Sequence, residues 1–231
     1  MAARIIEEPA YRERVLIFRD RRHAGRLLAE KLRFIPRDRA LALAIPAGGV
    51  PVGYEVAKQL GISMDVIIVR KIQIPWNTEV GFGAIAWDGE MVFNESLMQH
   101  LRLTKEMVKN SIARTTESIQ ERLSKFRGDK VLPNLNGKVV ILIDDGLASG
   151  FTMLAAVRST RKRNPEKIVI AVPTGSSRAI ALLSTEVDEI VCLNIRSGVV
   201  FAVADAYQEW YDLSDEEVSE ILKKGIANAK D

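Results

Sequence analysis

Two adjacent carboxylates, Asp144 and Asp145, stand between the apolar run Val139–Ile143 and a small, hydroxyl-bearing turn made of Gly146, Leu147, Ala148, Ser149 and Gly150. A continuous apolar run is what a strand buried on both faces requires, and the residues after it leave the sheet at its carboxyl edge, where open α/β sheets take their ligands. The turn can aim several backbone N–H groups at one point. Phe151 follows it, and residues 152–163, starting at Thr152, read as a helix whose positive end faces that same point. Such a pocket suits a phosphate. A nucleoside-triphosphate loop would need a lysine where Phe151 stands. An aspartyl-phosphate phosphatase would put its two acids on alternate residues, whereas these are adjacent. The plain alternative is a strand, turn and helix in which Asp and Ser merely cap the helix.

A second strand-turn-helix lies at residues 45–53, IPAGGVPVG. Gly48 and Gly49 lack Cβ, so this backbone can approach a ligand closely. Arg70 and Lys71 end an expected strand at residues 64–69, and two cations at a carboxyl edge call for an anion; a solvated surface pair is the alternative. After them, residues 73–83 hold Pro75, Trp76, Asn77, Glu79, Gly81 and Gly83.

The elements that must position these residues follow from apolar runs alternating with helical periodicity, the pattern of parallel strands joined by crossover helices. Strands are expected at 15–18, 41–45, 64–69, 139–143, 168–172 and 190–193. Helices are expected at 20–33, 52–60, 152–163 and 177–184. A longer helix spans 104–126, with Val108, Ile112, Ile119, Leu123 and Phe126 on one face. Residues 128–138 read as a connecting loop. Ser214 with Glu217 three residues on forms a capping box for a last helix. The fold class is therefore α/β, a doubly wound, mostly parallel sheet.

The 231 residues are 47% hydrophobic, with 33 basic against 30 acidic side chains and a formal net charge of +3. The charges are interleaved, which leaves no nucleic-acid footprint. The single Cys192 lies in an apolar run and reads as a core residue. Charges appear early in MAARIIEEPA and no apolar run approaches about twenty residues, so a cytoplasmic protein is expected. His23 and His100 read as surface or packing residues.

The stretch from Val139 to Met153 resembles the phosphoribosyl-pyrophosphate (PRPP) signature of the type I phosphoribosyltransferases, and over nearly its whole length the chain resembles loosely characterised phosphoribosyltransferase-domain proteins of bacteria and archaea. That resemblance implies one domain over residues 1–231, with a core at about 20–193. A small hood would come from the chain ends, 1–18 and 194–231. The hood would grip the acceptor, with Phe201, Asp205, Tyr207, Trp210 and Tyr211 facing residues 5–18.

It further implies that Asp144 and Asp145 hold the ribose hydroxyls and that Ala148, Ser149, Gly150, Phe151 and Thr152 wrap the 5′-phosphate. Ala47, Gly48 and Gly49, with Arg70 and Lys71, would take the pyrophosphate. Residues 73–83 resemble a mobile loop that closes over the reacting centre, in which Glu79 orients the substrate and Trp76 shields it. Asp144, Asp145, Lys71 and Glu79 are the catalytic candidates. The chain departs from the pattern at Ala47, where arginine or lysine is common, and at Ala148, where several purine-specific members carry aspartate.

The activity implied is Mg²⁺-dependent transfer of phosphoribosyl from PRPP to a nitrogenous base with release of pyrophosphate, the metal reaching the protein through PRPP and water rather than through direct ligands. The partners implied are PRPP, a small-molecule base and a second copy in a homodimer. Ala47 and Ala148 motivate the alternative of a PRPP-binding regulator that has lost turnover. An unrelated phosphosugar or nucleotide binder on the same sheet is the third reading.

Overall fold

The computed structural model describes residues 2–128, 131–198 and 200–227. Six parallel strands form the main sheet: β1 (Arg4–Ile6), β2 (Ala40–Ala44), β3 (Ser63–Val66), β7 (Val139–Ile143), β8 (Lys167–Ser176) and β9 (Glu189–Arg196). They lie in the spatial order β1-β9-β8-β7-β2-β3. Between β3 and β7 the chain builds a three-stranded antiparallel sheet from β4 (Val69–Ile74), β5 (Asn77–Ala86) and β6 (Met91–Phe93).

Alternate residues of the main strands feed two apolar layers, as the two-residue period of a strand requires. Ala42, Ala44, Ile141, Ile143, Val169 and Val191 pack on one face with helices α1 (Arg21–Lys31) and α2 (Gly49–Leu60). On the other face Leu41, Leu43, Val140, Leu142, Ile170 and Cys192 meet α5 (Phe151–Arg161) and α6 (Ser177–Leu183). Each large side chain so buried contributes roughly 1.5–3 kcal/mol. Cys192 is fully buried and its thiol is pushed up to about 12 by that burial, so it packs as a small hydrophobe.

Helix starts follow local capping chemistry. Asp20 Oδ1 accepts from the N–H of His23 at 2.7 Å at the head of α1. Asn94 Oδ1 accepts from that of Leu97 at 3.0 Å at the head of α3 (Glu95–His100). Thr104 Oγ1 accepts from Met107 at 3.2 Å to begin α4 (Lys105–Phe126). The capping box at the start of α7 (Asp215–Ala227) is complete: Ser214 Oγ accepts from the Glu217 N–H at 3.2 Å, and Glu217 Oε2 accepts from the Ser214 N–H at 2.8 Å.

Four expectations are corrected. Residues 15–18 form no strand: Leu16 has φ of 53°, and only Phe18 bridges, to Tyr207. The edge strand is β1, too short and too exposed to leave an apolar signature. The expected strand 64–69 is two strands, because the chain leaves the main sheet at Val66 and starts the second sheet at Val69; both sheets bury their residues, so the apolar run continues through the break. Residues 73–83 are largely a hairpin of β4 and β5 rather than a loop, with irregular register at Ile72–Ile74 where the turn is made. The α2 helix starts at Gly49, three residues before the expected Val52. Two residues of the expected loop 128–138, at 129 and 130, lie outside the described residues. No helix among the described residues is long and apolar enough to cross a membrane.

Candidate active site

Every residue of β7 is buried, and the chain emerges from it directly into Asp144 and Asp145. The Asp145 N–H donates to Asp144 Oδ1 at 2.9 Å, which folds the pair back on itself. Arg21, at the first position of α1, donates from Nε to Asp145 Oδ2 at 2.8 Å and from a terminal nitrogen to the Tyr211 carbonyl at the same distance. Its guanidinium lies 3.8 Å over the Trp210 ring, and the Tyr207 hydroxyl donates to the Asp145 carbonyl at 2.7 Å.

These contacts set the electrostatics. Burial, and then the charge of Asp145, hold Asp144 well above the usual carboxylate range. Asp145 is also raised, because its burial outweighs the opposing guanidinium of Arg21. Tyr207 is raised strongly by burial and by Asp145, so its phenol stays a neutral donor.

The turn after the acids is tied to β8: the Leu147 N–H donates to the Thr174 carbonyl at 3.0 Å, the Ser176 N–H to the Leu147 carbonyl at 2.9 Å, and the Ser176 hydroxyl to the Ala148 carbonyl at 2.7 Å. Gly150 takes φ of 84°, a left-handed conformation that favours glycine, and α5 starts on the next residue. The first amides of a helix have no partners within it, so the turn from Ala148 to Thr152 presents donors and a positive helix end beside two carboxylates.

Ala44 of β2 pairs with Ile143 of β7, so the turns that follow these strands are neighbours. They touch. A Cβ on Gly48 would overlap the Asp145 carboxylate, and one on Gly49 would come within 2.6 Å of the Ile143 carbonyl. Ala47 precedes them, half-buried, after a cis peptide bond from Pro46.

The structure thus brings together Asp144, Asp145, residues 148–152 and the Ala47–Gly49 turn. Arg70 and Lys71 stand elsewhere than the sequence placed them, on β4 of the second sheet. Arg70 is half-buried beside Arg122 and Asp215, and the Lys71 stem packs over Gly81. Trp76 is 58% exposed at the hairpin turn. Glu79 lies in β5, but its side chain is outside the described residues.

Beside the Arg21–Asp145 pair the two chain ends meet: the Tyr11 and Phe18 ring centroids are 5.9 Å apart, Phe18 and Tyr207 5.6 Å, Tyr207 and Trp210 5.2 Å. Phe201 and Asp205 both engage Arg196. His23 Nδ1 accepts from the Arg19 N–H at 3.1 Å, and His100 ends α3.

The sequence alone does not single out Arg21. One weak signal exists: a cation in the first helical turn opposes the helix dipole, which invites a partner from elsewhere. Among the described residues no group of three or more His, Cys, Asp or Glu side chains is placed to hold a metal ion.

A family model described as "Phosphoribosyl transferase domain" matches residues 21–209. Two Mycobacterium tuberculosis proteins, from strains H37Rv and CDC 1551 and each named "Putative phosphoribosyl transferase", are 35% identical over 208 residues, or 90% of this chain. The match takes in 47% of each, so the chain spans about half the length of the curated relatives it matches. The crystal structure of TT1426 from Thermus thermophilus superposes with a TM-score of 0.72 at 34% identity, covering 90% of this chain and 99% of that one. With the family model spanning both strand-end turns and five of the six parallel strands, the chain belongs to the phosphoribosyl transferase family and has the type I fold.

Proposed function

We propose that the protein is a Mg²⁺-dependent phosphoribosyltransferase that binds PRPP and passes its phosphoribosyl group to a ring nitrogen of a base. The observation that carries the reading is the contact between the Gly48–Gly49 turn and the Asp144–Asp145 pair: two strand ends form one cradle, with carboxylates on one side and backbone close enough to exclude even a Cβ on the other. Ribose hydroxyls donate to Asp144 and Asp145, the 5′-phosphate accepts from the turn Ala148–Thr152, and the pyrophosphate accepts from the amides of Ala47, Gly48 and Gly49. Lys71, Glu79 and Trp76 ride on the hairpin, which this reading assigns to closing over the reacting centre.

In the reaction the C1–oxygen bond to pyrophosphate breaks with its electron pair leaving on pyrophosphate, a C1–nitrogen bond forms, and the proton of the base nitrogen passes to the departing pyrophosphate or to water. The buried carboxylates meet the positive charge that develops on the sugar in a site with little competing water. They suit the metal too, since acids and amides side by side in one cradle match a polyanion that carries its own cation. When bound through PRPP and water, Mg²⁺ supplies positive charge to the departing pyrophosphate. Arg21 holds Asp145 toward its ionised form, and Tyr207 fixes the backbone on which that carboxylate hangs. The aromatic hood above Asp145 is where this reading seats a flat acceptor.

Calorimetric titration of PRPP, with and without Mg²⁺, tests the assignment. The double variant Asp144→Asn plus Asp145→Asn is expected to weaken PRPP binding more than about tenfold, the scale of a lost charge-assisted hydrogen bond. Unchanged affinity would sink it. A second reading, a PRPP sensor without turnover, draws on Arg21 already occupying the Asp145 carboxylate and on the two alanines at positions 47 and 148. It predicts PRPP binding that needs the acids, yet no pyrophosphate release with any base.

A further inference from the structure

Beside Arg21 lies a cavity of about 290 Å³, walled by the head of α1, the first turn of α2, the segment after β9 and one face of α7. Glu217, Glu220, Ile221 and Lys224 recur at helical spacing along α7 and form one wall. Pro51, Leu213 and Ile221 supply its apolar surface, and the Tyr211 ring, 56% exposed, adds a flat aromatic side. None of the residues at positions 47–49 or 144–152 lines the cavity, and neither do Phe201, Tyr207 or Trp210. It is therefore separate from both strand-end turns and from the ring cluster of the hood.

Arg21 joins the cavity to the acid pair, and its donors are not all used. Nε donates to Asp145 and one terminal nitrogen to the Tyr211 carbonyl, each at 2.8 Å. The other terminal nitrogen makes no hydrogen bond among the described residues and is not sealed from solvent. A guanidinium with 8% side-chain exposure gains from an acceptor placed there. The other charges of the cavity are unequal. Arg22 pairs with Glu55 at 3.4 Å, while Asp20 caps α1 through His23 and pairs with Arg19 at 2.8 Å. Glu217 accepts from neutral donors, the Tyr211 hydroxyl at 3.3 Å and the Ser214 N–H at 2.8 Å. Among the described residues the side chains of Glu209, Glu220 and Lys224 make no hydrogen bond or ion pair, and the charge of Arg19 that Glu209 feels is the one already paired with Asp20. Three carboxylates thus stand against one ammonium.

We propose that this cavity binds a neutral heterocycle that carries a ring carbonyl beside N–H groups. The carbonyl accepts from the spare nitrogen of Arg21, the N–H groups donate to the glutamates, and the ring lies against Tyr211 and the apolar side chains. Charge decides the class. Asp145 already neutralises Arg21, so a ligand anion at the guanidinium would meet the acid pair and three glutamates with one ammonium to offset them, whereas a carbonyl brings no charge. The volume, at the small end for ligand pockets, suits one ring or two fused rings. Two sources share this chemistry: the acceptor of the proposed transfer, and an effector held one side chain away from Asp145. The binding itself does not depend on the transfer reaction.

Calorimetry on the full chain tests this with two matched pairs of probes: hypoxanthine against adenine, in which an amine replaces the carbonyl, and uracil against orotate, which is uracil bearing a carboxylate. Each is titrated alone and with ribose 5-phosphate and Mg²⁺ present. At least one of hypoxanthine and uracil is expected to bind about tenfold or more tighter than its mate, because the mate either leaves the Arg21 donor unpaired or brings a charge that the site repels. Glu220→Gln, at an exposed position, should weaken that binding about threefold or more and leave PRPP affinity within about twofold. Leu213→Trp, which fills the cavity, should weaken it about tenfold or more, and circular dichroism checks the fold of both variants. Pyrophosphate release from PRPP with the bound probe supports the acceptor; binding without release supports an effector. Absence of binding by hypoxanthine and uracil, mates that bind as tightly, or binding untouched by both variants overturns the proposal. An equal loss of PRPP affinity in Glu220→Gln also overturns it, because the cavity would then belong to the PRPP site. Failure of the transfer reading would appear elsewhere, as PRPP binding indifferent to Asp144→Asn plus Asp145→Asn.

Discussion

Arg21 reaches across 124 positions of sequence to place its Nε 2.8 Å from Asp145 Oδ2, with the pair almost wholly buried at 8% and 13% side-chain exposure. Trp210 covers the guanidinium from the other side. The charge most exposed to desolvation in the candidate site is therefore held by the first turn of α1 and roofed by the segment that follows β9.

Removing one partner of such a pair leaves the other charge buried alone. Arg21→Met is expected to lower the unfolding free energy by about 3 kcal/mol at pH 7, measured by urea denaturation. Combined with Asp145→Asn, the loss should be smaller than the sum of the two single variants by at least about 1 kcal/mol, since the pair acts as a unit. Strict additivity would show that the contact carries no coupling.

The raised Asp144 gives a pH dependence whose sign is fixed. A carboxyl whose folded value lies above its unfolded value binds more protons in the folded state between the two, so stability falls as pH rises through that window. Asp144→Asn removes this pH dependence. The variant should be more stable than the parent at pH 7, by about 1 kcal/mol or more, and the advantage should vanish below the ordinary aspartate value of 3.8. Thermal midpoints across pH 3–8 give the comparison, and an advantage that persists in acid would rule this cause out.

Close packing of the Gly48–Gly49 turn on the acids predicts two distinct failures. Gly48→Ala pushes the Asp145 carboxylate aside and away from Arg21, so PRPP affinity should fall by about tenfold or more and part of the buried pair's contribution to stability is lost with it. Gly49→Ala meets the Ile143 carbonyl and the Asp144 backbone, which cannot swing away, so it should cost about 1–3 kcal/mol of stability. Equal behaviour of the two variants in both assays would contradict the geometry.

Chelation separates a substrate-borne metal from a resident one. With no cluster of metal-binding side chains among the described residues, EDTA is expected to leave the thermal midpoint of the PRPP-free protein within about 1 °C, because no ligand is being stripped from the folded state. PRPP binding should weaken in the same buffer. A large drop in the midpoint without PRPP would point to a metal held by the protein itself.

The sequence by itself determined what local rules govern. An apolar pentamer from Val139 to Ile143 cannot be anything but a doubly buried strand once helices flank it, and the acids, glycines and helix that follow are bound to emerge at its carboxyl edge. The capping residues Thr104 and Ser214 set the starts of α4 and α7 for the same reason: each satisfies an amide three residues away.

Tertiary structure decided the rest, because the forces involved act between residues that are distant in sequence. Nothing near Arg21 says that Asp145 is its partner, or that Trp210 stacks on it. The run from Met64 to Val69 is apolar almost throughout, so its hydrophobicity could not show that the chain changes sheets between Val66 and Val69 and carries Arg70 and Lys71 to a hairpin against α4. Burial is a property of both sheets alike, and only the pairing of strands tells them apart.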